Sequence, residues 1–157
     1  IDDTYDSYVF KFYNIHPATD NVQFLFNMSS DSGSNYNVTK TTTYFLAEHN
    51  ATGGSANLSY QSAKDLAQST DFQKLMTDLG NAADENLSGY LTIYNPSSTT
   101  FAKNFMSRTN AQAYSATNIS FDNYIAGYGN TTSAVDAIQF KMSSGNFDGV
   151  IKLYGVS

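Results

Sequence analysis

An antiparallel, jelly-roll-like β-sandwich in one all-β domain spanning residues 1–157 is the fold this sequence predicts. Three observations carry that expectation. Apolar and polar residues alternate with a period of two through most of the chain. The alternating runs are short and are separated by loops of about four to ten residues, the spacing of a sandwich. No βαβ rhythm and no long helix is present to cover a parallel sheet.

Taken in order, "YVFKFYNI" (8–15) puts Tyr8, Phe10 and Phe12 on one face and Val9, Lys11 and Tyr13 on the other. "VQFLFNM" (22–28) aligns Val22, Phe24, Phe26 and Met28. The intervening "HPATDN" has the Pro, Asp and Asn of a turn, so these runs are expected to be neighbouring antiparallel strands. "TKTTTYFL" (39–46) is rich in β-branched residues and reads as a third strand, followed by the loop "AEHNATGG" and a short strand over "SANLSYQS" (55–62).

One segment changes period. Phe72, Leu75, Met76 and Leu79 fall at i, i+3, i+4 and i+7, a single helical face. Thr70 with Gln73 has the spacing of a capping box, and Gly80 sits where a C-cap glycine belongs, so a short helix is expected near 70–79. Strands resume with "GYLTIYN" (89–95), stopped by Pro96, then "TFAKNFMSRT" (100–109) and "ISFDNYIAGY" (119–128). "DAIQFKMS" (136–143) and "GVIKLYGV" (149–156) close the series as a terminal hairpin, eight or nine strands in all. In that hairpin Ile138, Phe140 and Met142 share a face, Ile151 and Leu153 return to the core, and Lys141 and Lys152 point to solvent.

The composition narrows function. Charged residues are only 14%, well below the usual quarter, whereas Ser, Thr and Asn number 51 of 157. Such a surface stays wet while remaining neutral enough to pack beside other subunits. Net charge is −6, and the eight basic residues are spread singly from Lys11 to Lys152, so no cluster neutralises a row of phosphates or an anionic membrane. No apolar run reaches the ~18 residues of a spanning helix. "IDDTYDSY" has the character of neither a signal nor a transit peptide, and a strand follows almost at once, so residues are expected upstream. Cysteine is absent, which removes disulfides and thiolate metal sites and leaves packing and oligomerisation to stabilise the chain. The seven Asn-X-Ser/Thr sequons, at Asn27, Asn37, Asn50, Asn57, Asn86, Asn118 and Asn130, follow from composition.

Catalytic patterns are missing. The two histidines, His16 and His49, have no second His at metal-ligand spacing. Asp84 and Glu85 are adjacent and read as a hydrated loop, not as two carboxylates facing each other across a bond. There is no Gly-X-Ser-X-Gly, and "GGSAN" and "SSGN" lack the Lys and the strand–helix setting of a phosphate loop. No enzyme, and no resident cofactor, is expected. Ca²⁺ is the one cation with a candidate shell: Asp2, Asp3 and Asp6, or Asp31, Ser34 and Asn35, can supply part of its oxygens, although neither set ends in the Glu of a full loop motif.

Aromatic residues are the unusual feature, with 12 Tyr, 11 Phe and no Trp. Phe falls mostly on the core faces. Tyr is scattered, and some must reach the surface, where a ring plus a hydroxyl suits both protein interfaces and sugar stacking. Tyr60, Tyr90, Tyr94 and Tyr128 are the candidate contact residues.

Several stretches together resemble a known group: "FKFYNIHPATDNVQF" (10–24), "TTTYF" (41–45), "NPSSTTFAKNF" (95–105) and "GNTTSAVDAIQFKMSSGNFDGVIKLYGV" (129–156). They are similar to small virion-associated proteins of marine tailed bacteriophages, cyanophages among them, and the closing "SGNFDGVIKLYG" (144–155) is the most recognisable part. That resemblance implies a jelly-roll-like structural component of the virion: a capsid decoration, head-fibre or tail-associated protein. It implies other virion proteins and further copies of itself as partners, with a host surface glycan as the alternative ligand. It brings no catalytic residues. Relatives in that group carry a further Ser/Thr-rich strand upstream of the point matching "IDDTY".

Overall fold

Tyr8, Phe10 and Phe12 share one side of an extended segment, and that side is the buried one in the computed structural model, which describes residues 1–114 and 118–157. The segment is the first of ten strands among the described residues: β1 (Ser7–Pro17), β2 (Val22–Ser29), β3 (Lys40–Asn50), β4 (Ala56–Tyr60), β5 (Gln73–Leu79), β6 (Leu87–Tyr94), β7 (Lys103–Ala113), β8 (Ile119–Gly129), β9 (Ala137–Met142) and β10 (Phe147–Val156). All pairings are antiparallel, and none of the described residues is helical.

The strands form a sandwich. A broad layer runs β10-β1-β6-β7-β8-β3-β4, and a narrow one runs β9-β2-β5. They join where Leu79 of β5 pairs with Ala113 at the end of β7. Between them lies a core of phenylalanines. Phe12 meets Phe24, and Phe105 meets Phe26, with ring centres 5.2 and 5.0 Å apart and planes nearly perpendicular. Phe140 of β9 packs on Phe10 and Phe12 at 5.2 and 5.1 Å. Such edge-to-face pairs contribute about 0.5–1.5 kcal/mol each beyond burial. Phe suits these positions because an enclosed hydroxyl needs a partner. Tyr44 is the exception, fully buried with no hydrogen-bond partner for its hydroxyl among the described residues.

Two expected neighbour relations do not form. β1 pairs with β10 and β6, while β2 pairs with β5 and β9, so the turn after Pro17 carries the chain from one layer to the other. The last two strands behave likewise: β9 pairs with β2 and β10 with β1, and the terminal hairpin is instead a second crossing between layers. The two crossings lie side by side, tied where the Ala18 N–H donates to the Asn146 carbonyl at 2.9 Å. Pairing is therefore nested, with β1–β10 outside β2–β9 and β3–β8, and the β6–β7 hairpin within. Leu153 faces inward in register with Phe10, yet it is 50% exposed, whereas Phe147 at the start of the same strand packs on Phe24 of the narrow layer, so coverage of β10 fades towards its end. Ile151 is partly buried against the core, and Lys141 and Lys152 are exposed, as expected.

The expected helix over 70–79 is strand β5. Three steps of β5 (Leu79 to Met76) oppose two of β2 (Val22 to Phe24), and two steps (Met76 to Lys74) oppose one (Phe24 to Leu25). Each mismatch is a bulge that lets successive residues turn inward, so Leu75, Met76 and Leu79 are all buried at a spacing that imitates a helix. Side chains of the broad layer reach across to β5 at these bulges, one to a backbone carbonyl and one to a side-chain amide. Thr109 Oγ1 donates to the Leu75 carbonyl at 2.5 Å, and Thr42 Oγ1 donates to Gln73 Oε1 at 2.6 Å. Gln73 is buried rather than capping, and Gly80 leaves room for the Glu85 carboxylate, whose oxygen would lie 2.0 Å from a Cβ there.

Alternation in β3 sends Lys40 inward with Thr42, Tyr44 and Leu46. Fully buried, its ammonium donates to Asn27 Oδ1 at 2.5 Å and to the Val38 carbonyl at 2.7 Å. Asn27 is buried too, its amide donating to the carbonyls of Tyr36 and Thr70, so this sequon has no room for a glycan in the folded chain. Burial lowers the Lys40 pKa from 10.5 to about 8, with the charge of Asp71 acting the other way. A lysine with its folded value below its unfolded value leaves the unfolded chain holding more protons between the two, so stability rises with pH from about 8 towards 10.5 and is flat below. Urea unfolding at pH 9.5 is expected to show a gain of at most about 2 kcal/mol over pH 8, reduced in Lys40→Met, where burial of Lys64 and Lys103 still lowers their pKa values and acts in the same direction.

Candidate functional site

The same alternation that fills the core decides what the broad layer turns outward. In β7, Lys103, Phe105, Ser107 and Thr109 are buried, so Met106 and Arg108 point away from the core. In β6 and β8 the same parity sends out Tyr90 and Tyr94, and Tyr124 and Tyr128. Register then brings them together. Tyr90 pairs with Arg108, Arg108 with Tyr124, Tyr124 with Phe45 and Phe45 with Tyr60, one row crossing β6, β7, β8, β3 and β4. Lys11 extends the row onto β1 and Lys152 onto β10. The next row holds Thr92, Met106, Ala126 and Thr43, and the one beyond places Asn104, Tyr128 and Thr41 side by side.

Two shallow grooves result, separated by the exposed Met106. One, about 370 Å³, is walled by Tyr94, Asn104 and Tyr128 over Thr41 and Ala126. The other, about 320 Å³, is walled by Tyr90, Arg108, Tyr124 and Phe45 over Thr43 and the same Ala126. Small residues form the floors and aromatic ones the walls.

At the centre of the face charge is compensated locally. Arg108 donates to both carboxylate oxygens of Asp122, at 3.0 and 2.7 Å, and its guanidinium lies 4.7 Å from the Tyr124 ring centre. The Tyr124 hydroxyl donates to Asp122 Oδ2 at 3.0 Å. These hydrogen bonds raise the Arg108 pKa and lower that of Asp122, fixing both as ions at neutral pH. Lys11 and Lys152, directly paired, avoid each other by leaning over Tyr154 and Tyr13 at 5.3 and 5.5 Å.

All four candidate tyrosines lie on this face. Tyr90 and Tyr94 are exposed on groove walls, and Tyr128 is half-buried in another. Tyr60 sits at the β4 margin, its ring edge-on to Phe45 at 5.1 Å and its hydroxyl donating to Asp65. Sequence reading missed Phe45, Met106, Arg108 and Tyr124. Their parity within each strand was available, but not the register that aligns them.

The other candidates are occupied in building loops. The Asp31 carboxylate accepts from Ser29 Oγ at 2.7 Å and from the Asn35 N–H and Nδ2, both at 2.8 Å, and these bonds lower its pKa. Asp2 accepts from Tyr8 Oη and from the Thr4 N–H, which hold it at about 2. Asp3 and Asp6 are exposed. His16 Nδ1 lies 2.6 Å from the Glu85 carbonyl, and His49 is exposed. Glu85 is not the hydrated loop residue expected: it is buried, its carboxylate accepting from the Ala82 N–H at 3.0 Å, while Asp84 is exposed. Among the described residues no three His, Asp or Glu converge as a metal site.

Comparison with family models, with curated proteins and with solved structures returns no match for this chain.

Proposed function

We propose that the chain is a structural subunit of a tailed-phage virion, a capsid decoration, head-fibre or tail-associated component, that works through subunit contacts on the particle surface. The observation that carries this reading is the outer face of the broad layer, where rings, hydroxyls and Met106 are presented in register over a flat, charge-compensated surface. Tyrosine combines large contact area with a polar tip, and charge depletion at the centre marks protein interfaces. The nested pairing of strands supports the jelly-roll-like form of the sandwich that the sequence resemblance implies.

Purified chain is expected to form a defined oligomer by mass photometry, and virion proteomics is expected to find it in stoichiometric amounts. Replacing Tyr90, Tyr94 and Tyr128 together by Ser should dissociate it from the particle, or from its own copies, while leaving the circular dichroism spectrum unchanged. Absence from purified particles would sink the virion reading.

The grooves favour a second reading, a carbohydrate-binding host-adhesion module, because tyrosine walls over a small-residue floor suit the apolar face of a sugar ring. Glycan-array binding that is lost in Tyr94→Ala or Tyr90→Ala, with assembly intact, would favour it.

A further inference from the structure

Strand β10 is an edge with its far side open. It pairs with β1 alone among the described residues, and Val150, Leu153, Tyr154 and Val156 are exposed along it. Its regular stretch, Val150–Val156 opposite Ser7–Tyr13, has no proline or bulge to blunt pairing. Its lysine does not guard the edge either, since Lys152 leans back over Tyr13 of β1.

Which backbone groups are free can be worked out. The Asn95 N–H donates to the Asp6 carbonyl at 2.7 Å, flanking the pair Ser7–Tyr94. That pair is thus of the non-hydrogen-bonded type, and Ser7 turns its own N–H and C=O towards Val156 of β10. Counting in twos, Val150, Lys152, Tyr154 and Val156 bond β1. Ile151, Leu153 and Gly155 direct their N–H and C=O groups outward.

We propose that the open edge of β10 pairs antiparallel with β10 of a second copy about a two-fold axis at Leu153. Leu153 is the midpoint of the regular stretch, so this axis gives the longest undistorted ladder. It sets Leu153 against its own copy, Val150 against Val156, Ile151 against Gly155 and Lys152 against Tyr154, the same ammonium–ring pairing that Lys11 already makes with Tyr154. Other axes fit worse. One at Lys152 opposes two ammonium groups; one at Ile151 runs through Gly149, where β1 bulges; one at Tyr154 shortens the ladder. The inference rests on the chain being an assembly subunit, but it concerns the edge and not the tyrosine face.

Cysteine scanning tests it cleanly, because the chain has no cysteine. In the proposed register Leu153→Cys faces its own copy at a Cα separation of about 5.5 Å, within disulfide range. Under mild oxidation the purified full chain is expected to become covalent dimer, with Ile151→Cys giving at least tenfold less. Leu153→Pro removes an outward N–H that β1 does not use, at an edge position where proline is tolerated, and is expected to shift sedimentation from dimer to monomer with an unchanged circular dichroism spectrum, whereas Leu153→Ala, which keeps the N–H, is expected to stay dimeric. A monomeric wild type at tens of micromolar overturns the proposal, as does Ile151→Cys crosslinking better than Leu153→Cys, or a dimer insensitive to Leu153→Pro. If the chain is absent from particles while Leu153→Cys still crosslinks, the virion reading fails and the edge stands.

Discussion

Phe24→Ala is expected to lower the unfolding free energy by about 3–5 kcal/mol, the largest single effect among core substitutions. Phe24 is fully buried at the centre of the narrow layer, and its ring touches Phe12 across the sandwich, Phe140 on β9 and Phe147 at the start of β10. Three strands besides its own therefore lose a partner, and the rings around the void are held by their own backbones, so the cavity cannot collapse fully. Urea unfolding should show a lower midpoint with little change in slope. A loss below about 1 kcal/mol would mean that the core repacks freely and that the aromatic contacts are not what fixes the layers.

Gly149→Ala is expected to cost on the order of 3 kcal/mol, from a disfavoured backbone and a steric clash acting together. Gly149 has φ +135°, and an added Cβ would lie 2.8 Å from the Asn14 carbonyl oxygen and 3.0 Å from Ile15 Cα. The cause lies in β1, where one extra residue near Asn14, itself at φ +52°, shifts the face so that Ile15 and Pro17 point inward after Phe12. Both neighbours of β1 carry a glycine beside that bulge: Gly149 on β10 and Gly89 on β6, where a Cβ would come within 2.3 Å of the Arg108 carbonyl oxygen. Gly53→Ala is the control. Gly53 has φ +74° but no atom of the described residues within 4 Å of a Cβ, so the backbone cost of about 1 kcal/mol remains. Equal losses at the two sites in thermal denaturation would rule out the clash.

The all-β fold was legible because alternation of the kind at Phe10 and Phe12, or at Phe105 and Ser107, survives any choice of partner strand. The helix error has a definite source, since two bulges in β5 place Leu75, Met76 and Leu79 on buried sides at a helical spacing. Pairing was not legible for an equally definite reason. Period two says which way a side chain faces but not which strand lies alongside, and "HPATDN" serves a crossing between layers as well as it would a hairpin. Leu153 shows the further limit: inward direction follows from the pattern, while burial depends on how far the opposite layer extends. The tyrosine face combines both cases, with each Tyr assignable to an outward side by its strand but the row from Tyr90 to Tyr60 visible only once register is known.

Nested pairing has a consequence in time. Of the ten strands described, β10 follows all the others in the chain yet is one of the two neighbours of β1, so Phe10 and Phe12 wait for the eight strands between before their layer is closed. Ladders of such long sequence separation make the contact order high, and refolding is expected in milliseconds to seconds rather than microseconds. Until β10 arrives, β1 is itself an unpaired edge with aromatic side chains, and a nascent chain stalled at that stage is the form most exposed to wrong partners.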